Sequence, residues 1–157
     1  MLLRRRRPRR GSVLVEAALV YPVVFMVILG ILLLSIAVFR YQQVAHMARE
    51  ASRWASVHGA KYATDPYIKA ANPSATAATA ADVYTNAIVP QAAGMNTSNL
   101  TYSVSWNTSN ATTRTTSVNG TITTVYNTVS VTVTYRWNTG LFGTIPVSST
   151  STTTMCF

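Results

Sequence analysis

Few side chains in this sequence could do chemistry, and one of them stands in an unexpected place. The 157 residues include four acids, two histidines and one cysteine. Glu16 sits just inside the edge of an apolar run that extends from Ala17 to Phe39 without a charged side chain. On insertion scales a carboxylate costs about 2.5–3.5 kcal/mol near mid-bilayer and less toward the headgroups, so such a residue calls for a cationic partner. The order Arg-Arg-Gly-Ser-Val-Leu-Val-Glu, from Arg9 to Glu16, supplies one if the bond between Gly11 and Ser12 is cut. The cut would leave a new ammonium on Ser12 and make Glu16 the fifth residue of the product. Four residues make about one helical turn, so Glu16 could neutralise the Ser12 amine of its own chain or of an adjacent copy. Pairing between copies would set the axial register of a filament.

No other constellation points to a reaction. His46 and His58 are 12 residues apart and read as ordinary residues of a helix face. Asp65 and Asp82 have no partner at metal-ligand or nucleophile-base spacing, and there is no glycine-rich phosphate loop. Cys156 is the lone cysteine, so no intrachain disulfide can form and any domain must be held by packing alone. We therefore expect no enzyme, no catalytic residue, no metal site and no cofactor.

The elements that position Glu16 are a basic leader and a long helix. Arg4, Arg5, Arg6, Arg7, Arg9 and Arg10 supply six of the 13 basic residues; beyond residue 11 the count is seven Lys and Arg against four Asp and Glu. The formal charge of +9 is thus an end effect. No aromatic residue interleaves with these arginines and they abut an apolar segment, so they read as topogenic charges that hold the N-terminus in the cytoplasm, not as a nucleic-acid site. Residues 17–39, at about 1.5 Å per residue, are long enough to cross about 30 Å of hydrocarbon. The span exceeds the apolar core of a secretory signal, although Ser35 and Ala37 form a small-x-small pair at which a signal cut could fall. Pro22 lies inside the span, where it removes a backbone donor and predicts a kink or a local loss of helix near Tyr21. Gly30 has no second small residue four positions away to complete a GxxxG pair.

Past the span the helix continues as an amphipathic rod. Tyr41, Val44, Met47, Ala48, Ala51, Trp54, Ala55 and His58 recur at spacings of three and four, with Gln42, Gln43, Arg49, Glu50 and Arg53 on the other face and Gly59 as the stop. A second helix is expected over 75–89, with Ser74 as its N-cap and Pro90 bounding its end. From Asn96 to Phe157, 35 of 62 residues are Thr, Ser or Asn, yet the pattern is not that of a disordered tail. Leu100, Tyr102, Val104 and Trp106 alternate with hydroxyl residues, as do Val129, Val131, Val133, Tyr135 and Trp137. Asn119-Gly120 signals a hairpin between two further strands. The expected product is a three- or four-stranded antiparallel sheet with one face packed on the helices, an α+β fold. The Asn-x-Ser/Thr triplets at Asn96, Asn99, Asn107, Asn110 and Asn119 are expected by chance in so Thr- and Ser-rich a stretch and are assigned no role.

Gly11-Ser12-Val13-Leu14-Val15-Glu16-Ala17-Ala18, Pro22 within the span, and Arg49-Glu50-Ala51-Ser52-Arg53-Trp54-Ala55 resemble the TadE-like minor pseudopilins of the tight-adherence (Flp-type) pilus system. Val129 to Tyr135, Gly140-Leu141-Phe142-Gly143 and Val147-Ser148-Ser149 are similar to that family's closing strand, apolar turn and Ser-rich finish, while the middle of the chain, about 61–96, is generic. The resemblance implies cleavage by an aspartyl prepilin peptidase, with Gly11 before the cut, Ser12 after it and Glu16 as the recognition and assembly residue. It implies a pilin-like organisation: a basic cytoplasmic leader at 1–11, a long helix at 12–58 and an extracytoplasmic α+β domain at 59–157. The protein would be a single-pass component of the bacterial inner membrane with its C-terminal domain in the periplasm. Its partners would be the prepilin peptidase, other pseudopilins, pilus assembly proteins and the lipid bilayer. The alternative is an uncleaved, single-span anchor that displays a binding or adhesin domain, in which Glu16 is incidental.

Overall fold

The computed structural model describes residues 10–107, 110–140 and 143–156, so the arginines at positions 4–9 and the Leu141-Phe142 turn lie outside the described residues. The chain divides into two units, Met1–Phe39 and Arg40–Phe157. Helix α1, Arg10–Val57, contributes to both. It ends at Val57, one residue before the expected 58, and it remains helical through Pro22, without the local loss of helix that the proline predicts as one outcome. In the first unit the apolar side chains are uncovered: Val13, Leu19, Phe25, Met26 and Leu34 are each at least two-thirds exposed. This segment has a mean hydropathy of 2.9 over its most apolar window, with none of that window buried, and is long and apolar enough to cross a membrane.

The second unit has a core of its own. Val44, Met47, Ala48, Ala51 and Ala55 of α1 are fully buried against Val83, Ile88, Val129, Val131 and Val133. Small residues recurring every three or four positions give α1 a low-relief stripe on which other elements can close tightly. The buried stripe departs from the expected face: Tyr41, one of its members, is half exposed, whereas Ser52 and Ser56, which were not among them, are buried. On the opposite face Glu50 pairs with Arg53 at 3.4 Å, as their spacing suggests.

Two short helices follow Gly59. Helix α2 is Ala60–Thr64 and α3 is Pro66–Ala71. The Asp65 carboxylate accepts from the Tyr67 and Ile68 amides, and Pro66 takes the first helical position, where no amide donor is needed. The helix expected from residue 75 starts later, as α4 (Ala80–Val83), and its N-cap is Thr79, not Ser74. Thr79 and Asp82 form a reciprocal capping box that satisfies two end donors at once, a stronger start than a lone serine. Residues 75–79 instead form no regular element, with the Ala78 amide bonded to the His58 carbonyl at 2.9 Å. Beyond α4 the coil widens to a π turn over Tyr84–Ile88 and tightens to a 3-10 turn over Val89–Gln91.

Five strands follow: β1 Leu100–Trp106, β2 Thr113–Val118, β3 Thr121–Tyr126, β4 Thr128–Asn138 and β5 Thr144–Thr154. They form two antiparallel sheets where one was expected: β1-β4-β5 and the separate hairpin β2-β3. The hairpin turns at Asn119 and Gly120, both left-handed with φ of 51° and 79°, the type I′ geometry that its sequence specifies. Val129, Val131, Val133 and Tyr135 of β4 point inward. The outward face of the larger sheet is a grid of hydroxyls in register, with Thr101, Thr134 and Ser148 in one row, Ser103, Thr132 and Thr150 in the next, and Ser105, Ser130 and Thr152 in the third. The β4–β5 members bond across each row at 2.8–3.0 Å.

Buried polar groups tie these pieces together. Asn127 is fully buried; its side-chain amide donates to the Ala111 carbonyl at 2.8 Å and its oxygen accepts from the Thr128 amide at 3.0 Å. Its backbone carbonyl accepts from the Met155 amide at 2.9 Å, so one residue joins the base of the hairpin to the larger sheet and the segment after β5. The Ser52 hydroxyl lies 2.9 Å from both Ser151 Oγ and Thr153 Oγ1, and the Cys156 amide donates to the Ser56 carbonyl at 3.0 Å.

Candidate functional site

The residues singled out for function gather in the N-terminal part of α1. The Gly11–Ser12 bond lies within α1, close to the first of its described residues, Arg10. The side chains of Arg10 and Ser12 lie outside the described residues. Gly11 is exposed, and a Cβ built on it would meet nothing within 4 Å. Glycine in a helix costs roughly 0.5–1 kcal/mol relative to alanine, and neither packing nor a left-handed backbone requires it here. Whatever accounts for Gly11 lies outside this fold.

Glu16 is exposed, one turn beyond Ser12 and immediately before the uncharged run. Among the described residues no ion pair or hydrogen bond involves it. Further along, Pro22, Val23, Met26 and Val27 line a shallow apolar notch of about 230 Å³ on the helix surface. Gly30 is equally open, with nothing within 4 Å of a built Cβ. The segment from Gly11 to Phe39 thus offers one carboxylate and a largely uncovered apolar surface, an arrangement suited to insertion and helix packing.

Residues 11–53 match the family model described as TadE-like protein. The first part of this chain is TadE-like. The matched stretch takes in Gly11, Ser12, Glu16 and Pro22, continues through the alanine stripe of α1 and stops at Arg53, so the likeness expected at 129–149 lies beyond it. No curated protein and no solved structure matches the chain. The TadE-like helix therefore associates the protein with the tight-adherence pilus, and its long apolar segment is a candidate membrane anchor.

Elsewhere the second unit shows features that the sequence did not announce. Trp54 and His58, one turn apart on α1, stack with ring centroids 4.0 Å apart and planes at 12°, and Tyr62 of α2 tilts against His58 at 4.6 Å. His58 Nδ1 lies 2.9 Å from the Trp54 carbonyl, which can only accept, so this nitrogen carries a proton. Asp82, held by the backbone amide and then the hydroxyl of Thr79, has its carboxyl below the usual carboxylate range. The spacing of four between Trp54 and His58 was legible, but only as part of a packing face, and Tyr62, four residues further on, lies past the Gly59 stop. Among the described residues no group of three or more His, Cys, Asp or Glu could hold a metal ion.

Proposed function

We infer that this protein is a minor pseudopilin of the tight-adherence pilus, matured by a prepilin peptidase and acting through packing of its N-terminal helix with other pilin-like helices. The observation that carries this reading is that Gly11 and Glu16 lie directly ahead of an apolar helical segment left exposed among the described residues, inside the stretch that matches the TadE-like family. The leader arginines would hold the N-terminus in the cytoplasm and leave the Arg40–Phe157 unit in the periplasm of the bacterial inner membrane. Local opening of the helix would present Gly11 to the peptidase, and the released Ser12 amine would neutralise Glu16 on the same or a neighbouring helix.

N-terminal sequencing of the protein recovered from host membranes, with and without the prepilin peptidase, tests the maturation step. A terminus at Ser12 that disappears in the peptidase mutant is the expected result; an intact Met1, or a cut near Ala37, would leave an anchored or secreted binding domain and end the pseudopilin reading. Glu16→Ala should insert normally and impair pilus-dependent attachment, whereas normal pili in that variant would remove the assembly role from Glu16.

A further inference from the structure

The second unit contains a cleft of about 190 Å³, bounded on one side by the rings of Trp54, His58 and Tyr62. Its lining also includes Asn72 at the end of α3, Ser74 and Thr76 of the segment before α4, and Asn86 of the π turn. These groups are neutral and largely unengaged. Asn72 Oδ1 accepts from the Ser74 amide at 3.2 Å, which leaves its NH₂ group as a donor. Asn86 donates to the Asp82 carbonyl at 2.9 Å, which leaves its side-chain oxygen as an acceptor. The hydroxyls of Tyr62, Ser74 and Thr76 have no hydrogen-bond partner among the described residues. The Nδ1 contact to the Trp54 carbonyl leaves Nε2 as the His58 ring nitrogen available to a ligand.

We propose that this cleft binds one sugar residue of a neutral glycan. A pyranose ring combines an apolar C–H patch with a belt of hydroxyls that both donate and accept. The ring wall suits the first, and the mixed amide and hydroxyl wall suits the second. At about 190 Å³ the cleft is small, matched to a single ring and not to a chain of several. The one carboxylate at the rim does not make the cleft a cation cage, because Asp82 Oδ2 is already taken by the amide and hydroxyl of Thr79 at 2.8 and 2.7 Å. The inference is independent of the proposed maturation, since every residue of the cleft lies in the Arg40–Phe157 unit.

The full chain, in a polyoxyethylene-ether detergent free of sugar headgroups, is titrated with methyl glucoside, methyl mannoside, N-acetylglucosamine and choline chloride, and binding is read by saturation-transfer NMR and calorimetry. At least one sugar should bind with a Kd of about a millimolar, with ring C–H protons receiving the strongest transfer. Tyr62→Ala should weaken it about tenfold and Asn86→Ala about threefold, each with an unchanged thermal melt. Asn86 is exposed, so its variant keeps the test valid if Tyr62→Ala does not fold. Binding by no sugar, binding of choline in their place, or sugar affinity unmoved in both variants would overturn the proposal.

Discussion

The two portions of α1 are built from the same backbone and stabilised in opposite ways. Along residues 13–39 the large apolar side chains other than the half-buried Leu33 are open, from 45% exposure at Val24 to 77% at Met26. Along residues 44–55, Val44, Met47, Ala48, Ala51 and Ala55 are at 0%. The first portion is wide in relief and rich in Val, Leu and Ile, which suits hydrocarbon or other helices. The second is narrow and rich in alanine, which lets a sheet and a short helix approach closely. Bulk is therefore tolerated in one and excluded from the other, although both read as apolar periodicity.

Substitutions can break or sharpen that contrast. The largest effect is expected from Ile28→Arg, which should cost about 2.5–3.5 kcal/mol of membrane insertion and reduce the fraction resisting alkaline extraction, while the melt of the second unit stays unchanged. Loss of that melt would show that the two regions are not independent. Asn127→Leu should lower the stability of the second unit by about 2–3 kcal/mol in chemical denaturation, because it strands the Ala111 carbonyl and the Thr128 amide. Ala51→Leu should cost about 2 kcal/mol by overpacking, whereas Ala18→Leu, on the exposed portion, should leave the melting temperature where it is. Gly120→Ala should cost about 1 kcal/mol through its left-handed backbone, seen as weakened amide protection confined to β2 and β3.

The smallest effect belongs to Asp82. Its folded pKa lies below the ordinary value of 3.8, so the stabilisation it gives is fully present above 3.8 and is lost as pH falls through the folded value. An NMR titration of the carboxyl carbon should give a midpoint under 3.8, and Asp82→Asn should remove the acid-side change in α4 amide shifts.

What the sequence shows depends on whether the buried positions are apolar. β1 and β4 were legible because Leu, Val, Tyr and Trp alternate with hydroxyls, and the Asn119-Gly120 turn because its chemistry is specific to left-handed geometry. β5 was read only as a Ser-rich finish. Its inward positions after Val147 are Ser149, Ser151 and Thr153, so both faces look alike to any hydropathy pattern. The inward hydroxyls of Ser151 and Thr153 become sensible only when Ser52 is placed opposite them, a contact across about a hundred residues that no local window contains. The start of α4 was readable in the Thr79-x-x-Asp82 spacing and was passed over for the more prominent Ser74 and Pro90. At the N-terminus the order from Gly11 to Glu16 was legible, and the open helix shows the apolar surface that this order would deliver to a membrane.

The Ser52 contact also sets an order of events in biosynthesis. Its two partners lie 99 and 101 positions further along the chain, and Met155 and Cys156 complete the same seam against Asn127 and Ser56. At about 5–20 residues per second, the alanine stripe leaves the ribosome roughly 5–20 s before the strand that seals it exists. The anchor can thus be engaged while the outer unit is still open on one side. During that interval the stripe is available to a chaperone, a bilayer surface or a neighbouring pilin-like helix, and the arrival of residues 151–156 ends the opportunity.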